Sequence, residues 1–336
     1  MAKKLLFGDL HAHNFREFST IEGDVNTRLK DCVEVVLKIK GFCDKENVDE
    51  VWFFGDCFHL KNNLSSEVVK LVMDAFNELL KDRSLLAIPG NHDFVSWTSN
   101  PILLKLFHQY LPERRFTLVS SFGWIKGEDK IYVEPFTRKV KELNKRIAEL
   151  KTNPEQDIFF GHQDMIGVRY GGFVVEHGLD ADMLSKKFKW SFVGHWHIPG
   201  KVRENVISIG APIQHNFGDV NQPKGWWIFD SEKGEIRLIQ NDFSPRFFDI
   251  KVGPESIESP GDPSKDFYRI KVRGELPEFL NKLRWKRVSR EVEGETKKRT
   301  TISFSDKKED IVEKYVEARG GDLGHKKLVE MGRKYL

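Results

Sequence analysis

The chain has 336 residues, of which 39% are hydrophobic and 31% are charged, and its formal net charge is +3. This length accommodates one large domain and a smaller one, and the composition is ordinary for a soluble globular protein. The net charge is too small to indicate nucleic-acid binding by itself, although residues 282–308 are rich in Lys and Arg.

The cysteines and the apolar runs indicate the compartment. Cys32, Cys43 and Cys57 are odd in number and widely spaced, which argues against a disulfide framework and against a zinc ribbon. The apolar stretch at the N-terminus is too short for a signal peptide, and no run approaches the ~18 apolar residues of a membrane span. We therefore expect a cytoplasmic protein that does not associate with membranes.

The first ninety residues predict a βαβαβ unit. Brief apolar runs predict strands at 4–8, 49–54 and 85–88, and apolar residues at helical spacing predict helices at 24–40 and 65–81. The second helix starts with Ser65-Ser66-Glu67, an N-cap signal. This alternation implies parallel strands with helices packed on the faces of the sheet.

The remainder of the chain is richer in strands. We expect a helix at 138–151 and strands at 157–160, 190–193, 206–209, 225–230 and 235–240. Together the elements predict an α/β fold, a four-layer α/β/β/α sandwich over residues 1–243.

A second, smaller domain is predicted after this sandwich. Prolines cluster with Gly and Ser at 244–265, which we interpret as a domain boundary. A strand at 267–272, a helix at 276–284 and a strand at 286–292 would form a small α/β domain within residues 244–306. Residues 307–336 predict two short helices.

Five short motifs carry the chemistry. They are Gly8-Asp9-Leu10-His11, Gly55-Asp56-Cys57-Phe58-His59, Gly90-Asn91-His92-Asp93, Gly161-His162 and Gly194-His195-Trp196-His197. Each follows a predicted strand, and functional groups gather at the carboxyl ends of parallel strands. Asp9 and His11 are two residues apart in extended chain, so their side chains point the same way, and His195 and His197 repeat this spacing. A single such motif is usually a turn. Five in this order predict one binuclear metal site.

The residue types suggest both the metal and the reaction. A mixture of imidazole, carboxylate and one amide oxygen suits manganese, iron or zinc better than magnesium. Asp56 is the natural bridging ligand, and two such ions would polarise a phosphoryl group and activate a water for attack on phosphorus. His92 would protonate the leaving group or stabilise the phosphoryl oxygens, and Asp93 would orient the His92 ring.

The other histidines are assigned smaller roles. His13 stands beside the site as an outer or surface residue. We expect the rest to be structural or exposed: His108, His177, His215 and His325.

The five motifs resemble those of the calcineurin-like metallophosphoesterase superfamily. The resemblance implies that Asp9, His11, Asp56 and His197 hold one metal ion. It implies that Asp56, Asn91, His162 and His195 hold the other.

Further details resemble the SbcD (Mre-eleven) family of DNA-repair nucleases. Phe58-His59 follows Asp56 as in that family, where the matching His acts with the His of the Gly-Asn-His-Asp motif in exonuclease chemistry. The segment 208–230 also resembles the family, and the stretch from His162 to Asp230 is similar to the small subunits of phage recombination endonucleases. The chain departs from the family at Ala12-His13, where Leu-Gly is usual.

The leading hypothesis is therefore a manganese-dependent DNA nuclease. The resemblance implies 3'-5' exonuclease activity on double strands and endonuclease activity on single strands, in recombination and double-strand break repair. It implies a homodimer, formed through helices near 65–81 and 100–110, in a heterotetramer with an SbcC-type coiled-coil ATPase that docks at 307–336. A phage-encoded protein would act in the host cytoplasm.

The resemblance implies that residues 244–306 form the DNA-binding capping domain of the SbcD family. Its basic residues are the candidates for contacts with DNA phosphates and bases. They are Lys282, Arg284, Trp285, Lys286, Arg287 and Arg290. The same segment is equally well explained as a solvated charged face. Two other functions remain open: a phosphatase or phosphodiesterase acting on a small molecule or phosphoprotein, and a non-catalytic subunit that bridges DNA ends.

Overall fold

The structure is a computed structural model. It describes residues 3–95, 103–111, 115–126, 130–170, 173–252, 260–272 and 278–290, and the isolated positions 310, 311, 314, 315 and 329. The chain divides into two compact units, residues 1–289 and 290–336. The isolated positions in the second unit are helical, and the rest of the predicted C-terminal helices lies outside the described residues. The predicted boundaries at 243 and 306 stay predictions.

Nineteen strands and five α-helices are defined within the described residues. The strands are β1 (Lys3–Phe7), β2 (Ile21–Glu22), β3 (Val25–Asn26), β4 (Glu50–Phe53), β5 (Ser84–Ala87), β6 (Phe116–Leu118), β7 (Gly123–Lys126), β8 (Lys130–Glu134), β9 (Ile158–His162), β10 (Arg169–Tyr170), β11 (Phe173–Val174), β12 (Trp190–Gly194), β13 (Gly200–Arg203), β14 (Val206–Ser208), β15 (Gly225–Asp230), β16 (Glu235–Gln240), β17 (Phe247–Val252), β18 (Phe267–Val272) and β19 (Trp285–Arg290). The helices are α1 (Thr27–Glu46), α2 (Ser66–Leu79), α3 (Phe107–Tyr110), α4 (Val140–Glu149) and α5 (Ala181–Lys187). Turns of 3₁₀-helix lie at Leu103–Leu106, Phe217–Asp219 and Glu278–Lys282.

Two six-stranded sheets form the centre of the first unit. Their strand orders are β16-β15-β1-β4-β5-β6 and β13-β14-β12-β9-β8-β7. Strands β1, β4, β5 and β6 run parallel, as do β8, β9, β12 and β14, and antiparallel strands complete the edges. The strands that precede the five motifs therefore belong to two sheets: β1, β4 and β5 to the first, and β9 and β12 to the second.

Side-chain alternation along the strands explains the layering. In β1, Leu5 and Phe7 join a core with α1 and α2, whereas Leu6 joins a core between the two sheets. Within this second core Phe54 of the first sheet meets Phe160 of the second, with ring centroids 4.3 Å apart. A third core packs the outer face of the second sheet against α4 and α5. The predicted α/β/β/α order is confirmed.

The capping region differs from its prediction in two respects. Part of the proline-rich segment 244–265 forms β17, which pairs parallel to β18 in a separate sheet of order β17-β18-β19. The expected helix at 276–284 is a 3₁₀ turn in its described part, and its Leu280 packs into the small core of this sheet. The sequence pattern also gave no sign of the hairpin β7–β8 or of α5.

In the described part of the chain, no helix combines the length and the apolar character that crossing a membrane requires.

Candidate metal centre

All seven predicted ligands converge at the carboxyl ends of the two sheets. Their donor atoms form two groups, each within 4.8 Å: Asp9 with His11 and His197, and Asp56 with His162 and His195. Asn91 belongs with the second group, since its Oδ1 lies 2.9 Å from His195 Nδ1 and 3.3 Å from His162 Nε2. This grouping is the one that the resemblance implied.

Asp56 lies between the two groups. Its Oδ2 is 3.5 Å from Nε2 of His11 in one group and 3.6 Å from Nε2 of His162 in the other. Its Oδ1 accepts a hydrogen bond of 2.7 Å from the backbone N–H of His92. One carboxylate oxygen is thus fixed by the backbone while the other faces both groups, as a bridging ligand requires.

The backbone at these motifs adopts conformations that side chains usually avoid. Asp9, His11 and Asp56 have φ values of 51°, 46° and 52°, and His195 has 103°. Positive φ in residues other than glycine is uncommon and costs on the order of 1–3 kcal/mol per residue, and it clusters at functional sites. Packing of the strands on either side must hold these four residues in place.

The glycines of the motifs are required by close approach. A Cβ on Gly90 would lie 2.2 Å from Oδ1 of Asp56, and one on Gly55 would lie 2.2 Å from the backbone N of Gly90. Both distances are far below van der Waals contact. The second and third motifs can therefore pack together only because both positions are glycine.

The chemistry of this donor set fits divalent cations. Asp9 is fully buried, and no described residue forms a hydrogen bond with its Oδ1. Nε2 atoms of His11 and His197 face each other at 3.1 Å. Burial lowers the pKa of both rings well below the usual value, which keeps their lone pairs available. A cation between these atoms would satisfy all three residues.

Burial of the carboxylates points the same way. Burial raises the pKa of Asp9, and the nearby negative charge of Asp56 raises it further. Burial also raises the pKa of Asp56, to about 6. Two acids buried this closely destabilise each other when both are ionised. Bound cations would offset this repulsion, so the site suits a positively charged occupant better than none.

The expectation that Asp93 orients the His92 ring is wrong. Nδ1 of His92 instead lies 2.6 Å from the backbone carbonyl oxygen of His59. Asp93 is fully buried and accepts hydrogen bonds from the backbone N–H groups of Asp56, Gly90 and Cys57, at 2.6, 2.9 and 3.2 Å. Asp93 therefore joins the second and third motifs through their backbones.

His59 and His92 form a stacked pair beside the ligands. Their ring centroids are 5.6 Å apart with planes inclined by 24°. Both line a cavity of about 150 Å³ together with ligands from both groups. His13 packs on the far side of His59, with centroids 5.6 Å apart.

Two residues of the site were missed from the sequence. Oδ1 of Asp164 lies 3.1 Å from Nε2 of His195, so it fixes that ring while Nδ1 faces Asn91. His215, expected to be merely structural or exposed, is buried and lines the metal cavity. Its Nε2 donates to the carbonyl oxygen of Asp9 at 2.9 Å, which leaves Nδ1 as an acceptor with no partner among the described residues. His215 lies within the segment 208–230, but neither residue belongs to one of the five motifs.

A buried ion pair between Lys224 and Asp219 contacts the backbone of His197 and of His215. Lys224 Nζ donates to Asp219 Oδ1 at 2.8 Å and to the carbonyl oxygen of His197 at 2.5 Å. Asp219 Oδ2 accepts from the backbone N–H of His215 at 2.8 Å. Lys224, within the segment 208–230, therefore fixes the loop that carries His197.

The basic residues of the capping sheet are engaged elsewhere. Arg284 forms an ion pair with Glu22, and Arg287 forms one with Glu17. Arg284 also stacks on Trp285, and Lys286 donates to the carbonyl oxygen of Leu280. Lys282 is exposed, and the side chain of Arg290 lies outside the described part. These ion pairs connect β19 to the segment 17–22, and contact of the basic residues with DNA stays a prediction.

The two ligand groups at the ends of two stacked sheets define a metal-dependent phosphoesterase. The profile of the Calcineurin-like phosphoesterase family matches residues 2–199. This match spans more than half of the chain, and the chain belongs to that family.

Exonuclease subunit 1 of Enterobacteria phage T4 is 25% identical over 250 residues, covering 71% of this chain and 68% of that protein. Among solved structures, a purple acid phosphatase from yellow lupin (Lupinus luteus) shows 15% identity and a TM-score of 0.38. The match covers 70% of this chain and 52% of the lupin protein, so the chain spans about half of its length. A dimetal phosphatase from Danio rerio shows 11% identity and a TM-score of 0.39, covering 69% of this chain and 93% of that one.

Proposed function

We propose that this protein is the nuclease subunit of a DNA-processing complex, a metal-dependent phosphodiesterase that cuts DNA. The observation that carries the proposal is the stacked pair of His59 and His92 on the wall of the metal cavity. The similarity to a phage exonuclease subunit supports the same conclusion. Two divalent cations, for which manganese is proposed, would activate a water and polarise the phosphoryl group when bound.

His92 is the proposed group that acts on the leaving oxygen. Because Nδ1 of His92 donates to the carbonyl oxygen of His59, the ring is fixed and Nε2 is the nitrogen left for the substrate. A protonated Nε2 would supply the proton to the departing sugar oxygen, and it would stabilise negative charge on the phosphoryl oxygens before that transfer.

His59 is proposed to position His92 and the DNA end. Its ring covers one face of the His92 ring, and its backbone carbonyl oxygen holds Nδ1 of His92. A His59→Ala change removes the ring but keeps the carbonyl, so it separates these two contributions. We propose that exonuclease activity on double strands, running 3'-5', depends on the ring more than single-strand endonuclease activity does.

The test is cleavage of end-labelled duplex and single-stranded DNA with manganese. Wild type should cut both substrates, His92→Ala should cut neither, and His59→Ala should lose mainly the duplex exonuclease activity. His108→Ala is a matched control, since His108 is exposed and its ring packs beside Phe116, which is not part of the metal centre. Wild type that cuts no DNA but hydrolyses methyl p-nitrophenyl phosphate would refute the nuclease proposal and favour the phosphatase or small-molecule phosphodiesterase. Full biological effect of His92→Ala would favour a bridging subunit.

The same reasoning extends to partners. The T4 relative is named as a subunit, and we propose that this chain works with an SbcC-type ATPase that docks at 307–336, in DNA recombination and break repair. A homodimer through the region of α2 and α3 completes the proposed assembly. Deleting 307–336 should abolish co-purification with the ATPase while manganese binding persists, and an intact complex would place docking elsewhere.

A further inference from the structure

The metal cavity is too small to hold a nucleotide. Its volume is about 150 Å³, whereas pockets that bind small molecules typically measure roughly 300–1,000 Å³. The metal cavity therefore accommodates the reacting phosphoryl group, and the attached sugar and base must lie against another surface.

A larger cavity adjoins the second ligand group. It has a volume of about 650 Å³ and lies between the ends of β5 and β8, the loop before β7 and the start of α4. Phe136 lines this cavity, and its ring is also 5.6 Å from the ring of His195 and 6.2 Å from that of His162. One aromatic side chain thus separates the cavity from two metal-ligand candidates.

The wall between the two cavities is fixed to the metal loops. The backbone N–H of Phe136 donates to the carbonyl oxygen of Pro89 at 3.1 Å, directly before the Gly-Asn-His-Asp motif. Gln163, directly after His162, donates to the carbonyl oxygen of Thr137 at 2.6 Å. The position of the larger cavity relative to the ligands is therefore built into the fold.

The lining combines aromatic rings with cations. Phe94, Phe122 and Phe136 contribute rings, and the guanidinium of Arg146 lies 4.1 Å from the ring centroid of Phe122. Arg138 and Lys139 stand at the rim, where Glu142 lies 3.5 Å from Lys139 and offsets part of its charge. Flat aromatic faces stack on nucleobases of any sequence, and neighbouring cations attract the backbone phosphates.

Basic charge continues from the rim to the metal centre. Burial lowers the pKa of Lys61. The charge of Asp56 raises this pKa, and the charge of Arg138 lowers it. Lys61 therefore lies within electrostatic reach of both the bridging carboxylate and the cavity rim. A phosphodiester strand would meet positive charge along this path.

A third cavity offers a smaller stacking surface. Its volume is about 530 Å³, and its described lining includes His13 and Arg16 but no Phe, Tyr or Trp. An imidazole or a guanidinium can stack on a base, but three phenyl rings offer a larger apolar face. The chemistry favours the cavity beside Phe136.

We propose that the cavity lined by Phe94, Phe122 and Phe136 is the subsite for the nucleobase of the nucleotide whose phosphate lies at the metal centre. The proposal rests on the proposed nuclease function and adds to it a subsite for the base. Glu134 at the cavity wall is buried and pairs with Arg146 at 3.2 Å, which provides polar atoms for the edge of the base.

The experiment compares substrates with and without a base. The 5' and 3' p-nitrophenyl phosphate esters of thymidine both carry one, and methyl p-nitrophenyl phosphate carries none. With manganese, wild type should show a kcat/KM at least about tenfold higher for one thymidine ester than for the methyl ester, as the loss of one base–aromatic stack predicts. Ser121→Trp fills the cavity from an exposed lining position, and should abolish this preference while leaving turnover of the methyl ester unchanged.

Two further variants separate the proposal from a folding defect. Phe122→Leu removes a stacking face at similar size and should reduce the preference in the same way. Ser264→Trp adds the same bulk at an exposed serine in the turn before β18, and should leave the preference intact. Binding of thymidine 5'-monophosphate to the metal-free protein, measured by calorimetry, should weaken in Ser121→Trp and not in Ser264→Trp.

The outcomes distinguish the two proposals. Equal turnover of the thymidine and methyl esters by wild type, or a preference that survives both Ser121→Trp and Phe122→Leu, overturns the base subsite. A preference that the variants abolish, in a protein that cuts no DNA, supports the subsite and overturns only the nuclease function.

Discussion

The metal centre and the basic strand β19 were both predicted from residue type, and the structure treats them differently. At the metal centre, side chains from two sheets bring their donor atoms together, and Oδ1 of the buried Asp9 has no hydrogen-bond partner among the described residues. Along β19, Arg284 and Arg287 are partly exposed and already paired with Glu22 and Glu17. Ligand motifs after strands have their positions dictated by the backbone, whereas a run of basic residues only supplies charge, and nearby acids can use it.

The largest effect is expected from the residue that lies between the two ligand groups, Asp56. Asp56→Asn weakens a ligand shared by both groups, so we expect a loss of at least about a thousandfold in kcat/KM. Metal analysis should show fewer manganese ions bound per chain than in wild type. Asp242→Asn, the same change at an exposed position, should alter neither quantity. Retention of full metal content by Asp56→Asn would break the bridging assignment.

The next effect tests the support beneath the ligands. Lys224→Met leaves Asp219 buried without its partner, which should lower the free energy of unfolding by about 3–5 kcal/mol. Release of the His197 loop should also weaken manganese binding by roughly 10–100-fold. Urea denaturation and metal titration measure these changes.

The double variant Lys224→Met/Asp219→Asn should recover part of the lost stability, because the uncompensated carboxylate is gone. It should not recover the metal affinity, since the donor to the carbonyl oxygen of His197 is still missing. Recovery of both would mean that the pair serves stability alone.

Arg28 links the metal centre to the capping sheet, and its replacement should have an intermediate effect on stability. It is buried, donates to the carbonyl oxygen of His215 at 2.9 Å, and packs over the rings of Phe247 and Phe267 at 5.2 and 5.0 Å. Arg28→Met keeps much of the apolar length but loses the charged donor, so unfolding should become easier by about 1.5–3 kcal/mol.

Hydrogen exchange should locate this loss. Amides of the β17–β18 ladder should exchange faster in Arg28→Met, because the capping sheet loses its contact with α1. Arg237→Met provides the matched control, since Arg237 is half exposed and pairs with Glu46 at the surface. Equal effects of the two changes would contradict a linking role.

The smallest effect is expected on β19. The double variant Arg284→Ala/Arg287→Ala breaks only exposed ion pairs, which contribute little. DNA affinity should change by less than about threefold, and the dependence of log K on log salt should keep its slope. A slope lower by about one for each arginine removed would mean that both contact phosphates. The arginines of β19 would then be functional residues like those of the metal centre, and the contrast drawn between these two regions would be wrong.

Much of the fold was predictable from the sequence because local patterns carried it. The βαβαβ unit follows from short apolar runs and the N-cap at Ser65, whose side chain accepts from the backbone N–H of Val68 at 3.2 Å. Within each sheet, the predicted ligands lie together because each follows a strand and parallel strands have their carboxyl ends at the same edge. The strand β17 was missed because prolines in the surrounding segment dominate its pattern.

The sequence by itself determined the layered α/β fold and the set of ligand candidates, since residue type, spacing and strand ends are local properties. Only the tertiary structure decided that Asp93 holds backbone instead of His92, that His215 and Asp164 belong to the site, and that the arginines of β19 are paired. Each of these depends on which distant segments meet, and hydrogen bonds form between groups that packing brings together. No spacing along the chain encodes that choice.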